Sequence, residues 1–399
     1  MTTDENLIKL IEQLREPAAR SFQYEHVAQH ERPKDTQLIW DVAKPLEEAM
    51  NAHPEFAGPS SKYFLGKQVA FFNHHQSVNL LRVALRNGAV EALGWYRRVI
   101  ATKCAKMRVV AEVYGLWVQK RHMFSNGVML LPVSELPDSP NSLSLKQPLY
   151  LRPGISFPAA VMFELDHIGN EHHEIGHKRF LKISETMRKT ITAFVLSDDA
   201  APTMAESWQE FADPELEAAE FGRIWMSSQH EGRLPNHPTN VTDEMLDWVE
   251  NYLQLPPEVA NACDVPLARL NLARRRIAPG DKAIDGSVCL EALLSGRSRG
   301  ELTHRLSVRA ALLLGRSLDE RQKIAEKVRK FYALRSDLVH GSAGKKETAN
   351  REIAGEGLLL CLAALRSVVT SVQVPEPELW ELTGGPAWNR YAEPEARCP

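Results

Sequence analysis

With 399 residues the chain exceeds a typical single core and calls for about two to three domains. Its 44% hydrophobic and 25% charged residues are ordinary for globular proteins, which excludes a disordered chain, and no stretch approaches the ~18 uninterrupted apolar residues of a membrane helix. The net charge of -3 hides an asymmetry: residues 269–351 hold 19 Lys/Arg against 9 Asp/Glu, so a basic segment sits on an otherwise acidic protein, the footprint of a polyanion site or of self-association.

The N-terminus, Met1 to Asn6, is polar and acidic and lacks the basic start and apolar middle of a secretory signal, so a cytoplasmic location without membrane attachment is expected. Leu7, Ile8, Ile11 and Leu14 recur at helical spacing, and the run from Ser77 to Leu116 reads as long and amphipathic. Pro54, Gly58, Pro59, Ser60 and Ser61 break these two helical parts. From about Trp117 the texture changes to short β-branched and aromatic runs: Gly127 to Val133, Leu149 to Leu151, Ala159 to Leu165 and Thr190 to Leu196. Pro202 to Asn240 reads as a helix followed by a linker, and Asn236 to Thr242 as a domain boundary. No internal repeat is visible. Five widely spaced cysteines, Cys104, Cys263, Cys289, Cys361 and Cys398, suit neither a disulfide framework nor a CxxC zinc site and read as reduced thiols, several packed in cores.

Beyond the boundary the pattern is helical throughout. Thr242 caps a helix toward Leu253, and Pro256-Pro257 restarts it. Leu267, Leu270, Ala273 and Ile277 form the next stripe, ended by Ala278-Pro279-Gly280; Ile284, Val288, Cys289, Ala292 and Leu293 mark another, and Leu306, Ala310 and Leu313 a third, closed by Gly315. Ser317 and Glu320 have capping-box spacing, in which hydroxyl and carboxylate satisfy each other's backbone amides. A last apolar helix runs from Leu358 to Val372. The expected fold is mainly α: a helical region over 1–120, a mixed or mostly β region with an acidic linker over 121–240, an antiparallel helical bundle over 241–380, and a tail over 381–399.

Within the helix that begins at Leu318, the stripe Ile324, Val328, Phe331 and Leu338 faces the core, and Arg335 falls on it. A guanidinium there is costly without an anionic partner or a cleft. His340 follows five residues later, an offset of about 140° on an unbroken helix, so the two side chains converge only if the helix ends between them, with Gly341 as its cap. Such a pair suits metal-free cleavage of RNA, whose 2′-OH is an internal nucleophile. His340 would move the protons and Arg335 would stabilise the phosphorane. The plainer alternative is a C-capping histidine and a surface-pairing arginine.

The string from Phe331 to Gly341, FYALRSDLVHG, resembles the R-x4-6-H signature of HEPN domains, in particular their ApeA-like branch. Residues 281–285 with 289–294, and 305–315, resemble that branch as well, so the likeness spans roughly Asp243 to Val374. It implies a helical bundle that commonly dimerises so that two such motifs face one cleft, with Arg335 and His340 catalytic and Ser336 and Asp337 as polar neighbours. It also implies a role in bacterial antiphage defence, with the nuclease held inactive until a phage-derived trigger is sensed; from the architecture alone, sensing would then fall to the N-terminal 240 residues, and no cofactor is expected. Some HEPN domains bind RNA or a protein partner without cutting, so a non-catalytic binding module is a second expectation. Glu291 lies near the stripe of its own helix, placed to pair with Arg335 or Arg309, as a structural bridge or a catalytic carboxylate.

Two further signals have competing readings. Arg274, Arg275 and Arg276, with Arg321, Lys323, Lys327, Arg329 and Lys330, could hold RNA phosphates or simply form solvated helix faces. His173, Glu174 and His177 match HExxH, the spacing of a zinc hydrolase. Gly176 inside the motif, the turn-like Gly169-Asn170 and the cations Lys178 and Arg179 argue instead for a polar loop between strands. Glu206 and Glu210 are equally available as a third ligand.

Overall fold

The computed structural model describes the chain except for residues 1–2, 25–32, 34–36, 58–61, 65–68, 72, 103–104, 138, 140–141, 143–158, 168–172, 199, 214–215, 217–237, 297–300, 340–346 and 390–399. It is mainly helical, with a mixed α/β N-terminal region and a C-terminal helical region. Four helices open the chain: α1 (Thr3–Gln23), α2 (Ile39–Ala52), α3 (Asn73–Asn87) and α4 (Ala89–Ala101), with a short hairpin of β1 (Lys62–Phe64) and β2 (Val69–Phe71) between the second and third. Leu7, Ile11, Leu46, Leu81 and Tyr96 pack them around one core, and Arg97 ties the layer together through Asp4 at 2.9 Å and Glu55 at 2.6 Å.

The run from Ser77 to Leu116 is not one helical element. It breaks at Gly88, and its last part is strand β3 (Ala105–Tyr114). Nearly every β3 side chain is buried, so no polar alternation marked it as a strand. β3 lies inside a five-stranded antiparallel sheet ordered β5 (His122–Met123), β6 (Met129–Pro132), β7 (Ala159–His167), β3, β8 (Thr203–Phe211). Two of the expected strands are therefore present, as β6 and β7, while Leu149 to Leu151 lies outside the described residues. β8 replaces the helix expected after Pro202.

Thr190 to Leu196 is helical, not a strand: it ends α5 (His173–Ala193) and forms the 3-10 turn Phe194–Leu196. β-branching favours strands, but Ile183, Met187 and Ile191 recur every four residues and face the sheet, and tertiary burial prevails. Thr186, Thr190 and Thr192 return their hydroxyls to the carbonyls of Lys182, Thr186 and Arg188, which removes their polar groups from competition with the helix. The backbone of residues 173–177 is also helical, the opening turns of α5, so the polar loop expected there is corrected.

A short parallel pair, β4 (Leu116–Trp117) with β9 (Thr239–Asn240), hands the chain to the C-terminal helices. These are α6 (Asp243–Leu253), α7 (Pro257–Arg275), α8 (Pro279–Leu294), α9 (Leu302–Leu314), α10 (Leu318–Val339), α11 (Glu347–Ser371) and α12 (Pro377–Thr383). The caps are as expected: Thr242 Oγ1 accepts from Met245 N at 3.3 Å, and Glu320 N donates to Ser317 Oγ at 3.2 Å while Ser317 N donates to Glu320 Oε2 at 3.3 Å. Ile277 departs from its stripe and is 71% exposed, because α7 has already ended. α11 is long and apolar enough to cross a bilayer by length and composition; half of that window is buried in the fold. Within the segment read as a tail, Trp388 stacks edge-on against Trp380.

Val109, Ala111 and Val161 of the sheet, Phe180 and Met187 of α5, and Leu270, Leu290, Phe331 and Leu365 of the later helices belong to one apolar core, which passes through the 236–242 boundary without interruption. The turn after α5 is its plug. Arg274 Nη1 donates to the carbonyls of Val195, Ser197 and Ala200 at 2.6–2.9 Å, Arg366 Nε donates to Leu196 at 2.7 Å, and Asn271 Nδ2 donates to Pro202 at 2.8 Å. Cys263, Cys289 and Cys361 are buried free thiols; Cys104 and Cys398 lie outside the described residues.

Candidate functional site

The candidate site forms where α8, α10 and α11 meet. Phe331 is fully buried in a notch made by two glycines: a Cβ at Gly286 would stand 2.6 Å from its Cζ, and one at Gly357 only 2.1 Å from its Cδ2. Only glycine allows the three helices to close on that ring. This contact sets the rotation of α10, and the next residues reach across to α8. Tyr332 Oη stands 3.1 Å from Ser287 O and 3.0 Å from Glu291 Oε1, which share its one proton. Arg335, one turn on, donates from Nη1 to the same carboxylate oxygen at 2.5 Å, and its guanidinium lies 5.7 Å from the Tyr332 ring centre.

Arg335 and Glu291 therefore form a pair, and they retain 32% and 24% side-chain exposure, so the charges sit at an opening and not in the core. Of the two arginines expected as partners for Glu291, Arg309 is committed elsewhere. It is 1% exposed, pairs with Glu381 at 2.7 Å, and donates to the carbonyls of Leu294 and Ser295 that end α8. Burial, reinforced by the Glu291 charge, pushes the Tyr332 phenol well above its ordinary value near 10, so it stays a neutral donor. Tyr332 was legible as the residue three before Arg335, on a neighbouring position of the same helix face, but it lies off the stripe Ile324, Val328, Phe331 and Leu338.

Ser336 is exposed, and nothing is described of the Asp337 side chain. α10 is described to Val339, between Arg335 and His340, and His340 with Gly341 lies outside the described residues.

The basic residues are largely engaged within the fold. Arg274 holds the plug described above; Arg275 Nε donates to Asn271 Oδ1 at 3.0 Å, and Arg276 pairs with Asp285 at 2.9 Å. Lys323 and Lys330 pair one turn back with Asp319 and Glu326 at 2.6 and 2.7 Å, and Lys327 meets Glu356 at 3.0 Å, all on exposed faces. Among the described residues no cluster of three metal-ligating side chains occurs; the side chains of His173, Glu174 and His177 lie outside that description. Glu210, one of the third-ligand options, is buried in an ion pair with Arg108 and accepts from Ser139 Oγ and Trp208 Nε1 at 2.6 and 2.7 Å. Comparison of the chain with family models, curated proteins and solved structures returns no match.

Proposed function

We propose that the protein is a metal-independent endoribonuclease of the HEPN type, with Arg335 and His340 as its catalytic residues. The observation that carries this reading is the half-open Arg335: it occupies a core-facing position of α10, yet its guanidinium is held at an opening by Glu291. A cation fixed in this way is oriented before substrate arrives, which is what stabilising a phosphorane requires. Glu291 and Tyr332 are positioning residues, because they meet the guanidinium and its carboxylate partner. His340, next in sequence to the end of α10, would take the 2′-OH proton and return one to the leaving 5′-oxygen, leaving a 2′,3′-cyclic phosphate. The reading extends to a homodimer through the C-terminal helices and to a defence role with a phage-derived trigger, both carried by the sequence resemblance.

The test is incubation of the full chain with mixed cellular RNA in EDTA. Cutting by wild type, with 2′,3′-cyclic ends and loss in Arg335→Ala and His340→Ala, supports the reading. RNA retained on the protein but uncut would favour the non-catalytic binding module. A zinc hydrolase is a third reading, favoured by the helical backbone of residues 173–177, which HExxH chemistry needs. Activity that appears only with zinc and is lost in Glu174→Gln would establish it.

A further inference from the structure

Glu291, which holds Arg335, stands in the last turn of α8, where a helix has no further turn to anchor it and its final carbonyls lack intrahelical partners. That end is nevertheless closed. Ser295 N donates to Glu291 O at 2.9 Å, Gly296 continues the chain at a φ of +61°, and Arg309 of α9 donates from Nη1 to the carbonyls of Leu294 and Ser295 at 2.8 and 2.5 Å. The Arg309 side chain is 1% exposed, so its charge needs a counter-ion at the same place. Glu381 supplies it, accepting from Nε at 2.7 Å, and Glu381 belongs to α12, 72 residues further along the chain.

α12 is fixed on either side of that carboxylate. Trp380 beside it is buried in the core, and beyond it Arg321 donates from Nη2 to Gly384 O at 3.0 Å. A Cβ at Gly296 would stand 2.9 Å from Glu378 Oε1 and 3.0 Å from Arg309 Nη1, so α12 closes directly on the end of α8. The contacts form one line from the surface to the site: Glu381 carboxylate to Arg309, Arg309 to the Leu294 and Ser295 carbonyls, Ser295 amide to the Glu291 carbonyl, and Glu291 carboxylate to Arg335.

We propose that Glu381 is a remote positioning residue for RNA cleavage: acting through Arg309, it holds the last turn of α8 closed and so keeps Glu291 on Arg335. This rests on the reading of Arg335 as catalytic. Without the clamp the last turn of α8 frays, the Glu291 carboxylate loses its fixed place, and the guanidinium is no longer oriented before substrate arrives. A misplaced guanidinium weakens stabilisation of the phosphorane, which forms only on the way through the reaction, so the loss falls on kcat and not on KM.

The experiment measures RNA cleavage, unfolding temperature and amide hydrogen exchange in the full chain and three variants. Glu381→Ala should lower kcat at least about tenfold with KM within about threefold, and lower the unfolding temperature. Its Ser295 amide should gain at least about tenfold more in exchange rate than the amides of β3. Glu381→Gln, whose amide oxygen still accepts from Arg309, should return kcat to within about threefold of wild type. Arg309→Met combined with Glu381→Leu, which replaces the ion pair by apolar groups of similar size, should restore the unfolding temperature and leave kcat low. Recovery of both in the double variant means a purely structural pair and overturns the proposal. Unchanged exchange at Ser295 in Glu381→Ala also overturns it, whether or not the double variant folds. So does wild-type kcat in Glu381→Ala when Arg335→Ala abolishes cleavage, a result that spares the reading of Arg335. No cleavage by the wild-type chain removes that reading and the proposal with it.

Discussion

Two of the molecule's Arg–Glu pairs stand in opposite settings. In the sheet, Arg108 on β3 meets Glu210 on β8 directly across the register, with 7% and 0% side-chain exposure, and Ser139 and Trp208 fill the other carboxylate oxygen. In the helical region, Arg335 and Glu291 keep about a third and a quarter of their surface, and one carboxylate oxygen receives both protein donors. A carboxylate saturated on every side has no capacity left for chemistry, whereas a cation held at an opening does. Removing one partner of the closed pair strands a charge; removing one partner of the open pair lets water replace it.

The largest expected effect follows from that contrast. Glu210→Ala should cost about 3–5 kcal/mol of stability, read as a lower denaturant midpoint, since it leaves Arg108 buried and unpaired. Arg335→Ala should cost less than about 1 kcal/mol by the same measurement but lower RNA cleavage by at least about 100-fold; equal loss of stability in the two variants would break the comparison. Gly357→Ala tests the scaffold beneath the open pair. Its methyl collides with the Phe331 ring, and about 1–3 kcal/mol of destabilisation should accompany a cleavage defect, because α10 cannot keep its rotation.

A pH titration sharpens the picture further. The folded state holds the Tyr332 proton more tightly than the unfolded chain, whose phenol titrates near 10, so this contribution is complete below pH 10. It is lost as pH rises, because the unfolded chain releases its proton first. Tyr332→Phe should therefore flatten the alkaline fall in stability by about 1.4 kcal/mol per pH unit above pH 10. The smallest effect belongs to Lys323→Ala, whose partner Asp319 lies on the same exposed face; neither midpoint nor cleavage should move measurably.

The sequence was most legible where a local device decided the outcome. Thr242, Pro257, Gly315 and the Ser317–Glu320 box mark helix ends through backbone amides and carbonyls within a few residues of themselves. The partnership of Arg335 with Glu291 was visible as one of two options, and the carbonyls of Leu294 and Ser295, which claim Arg309, decided between them. What escaped was set by distant burial. β3 is covered on both faces and so has no period-2 pattern, and Thr190 to Leu196 has strand-like composition but is drawn into α5 by the sheet it covers. Arg274 looked like a phosphate ligand because its carbonyl partners lie more than 70 residues away in the chain.

The plug formed by residues 194–202 has a consequence for how this protein could be inherited or rebuilt. Phe194, Val195 and Leu196 are wholly buried, and the side chains of Arg274, Asn271 and Arg366 close over their backbone and the residues that follow. Residues 241–399 are thus no portable cassette. Grafted onto another N-terminal region from residue 241 onward, it would carry three long polar side chains reaching for carbonyls that had been left behind.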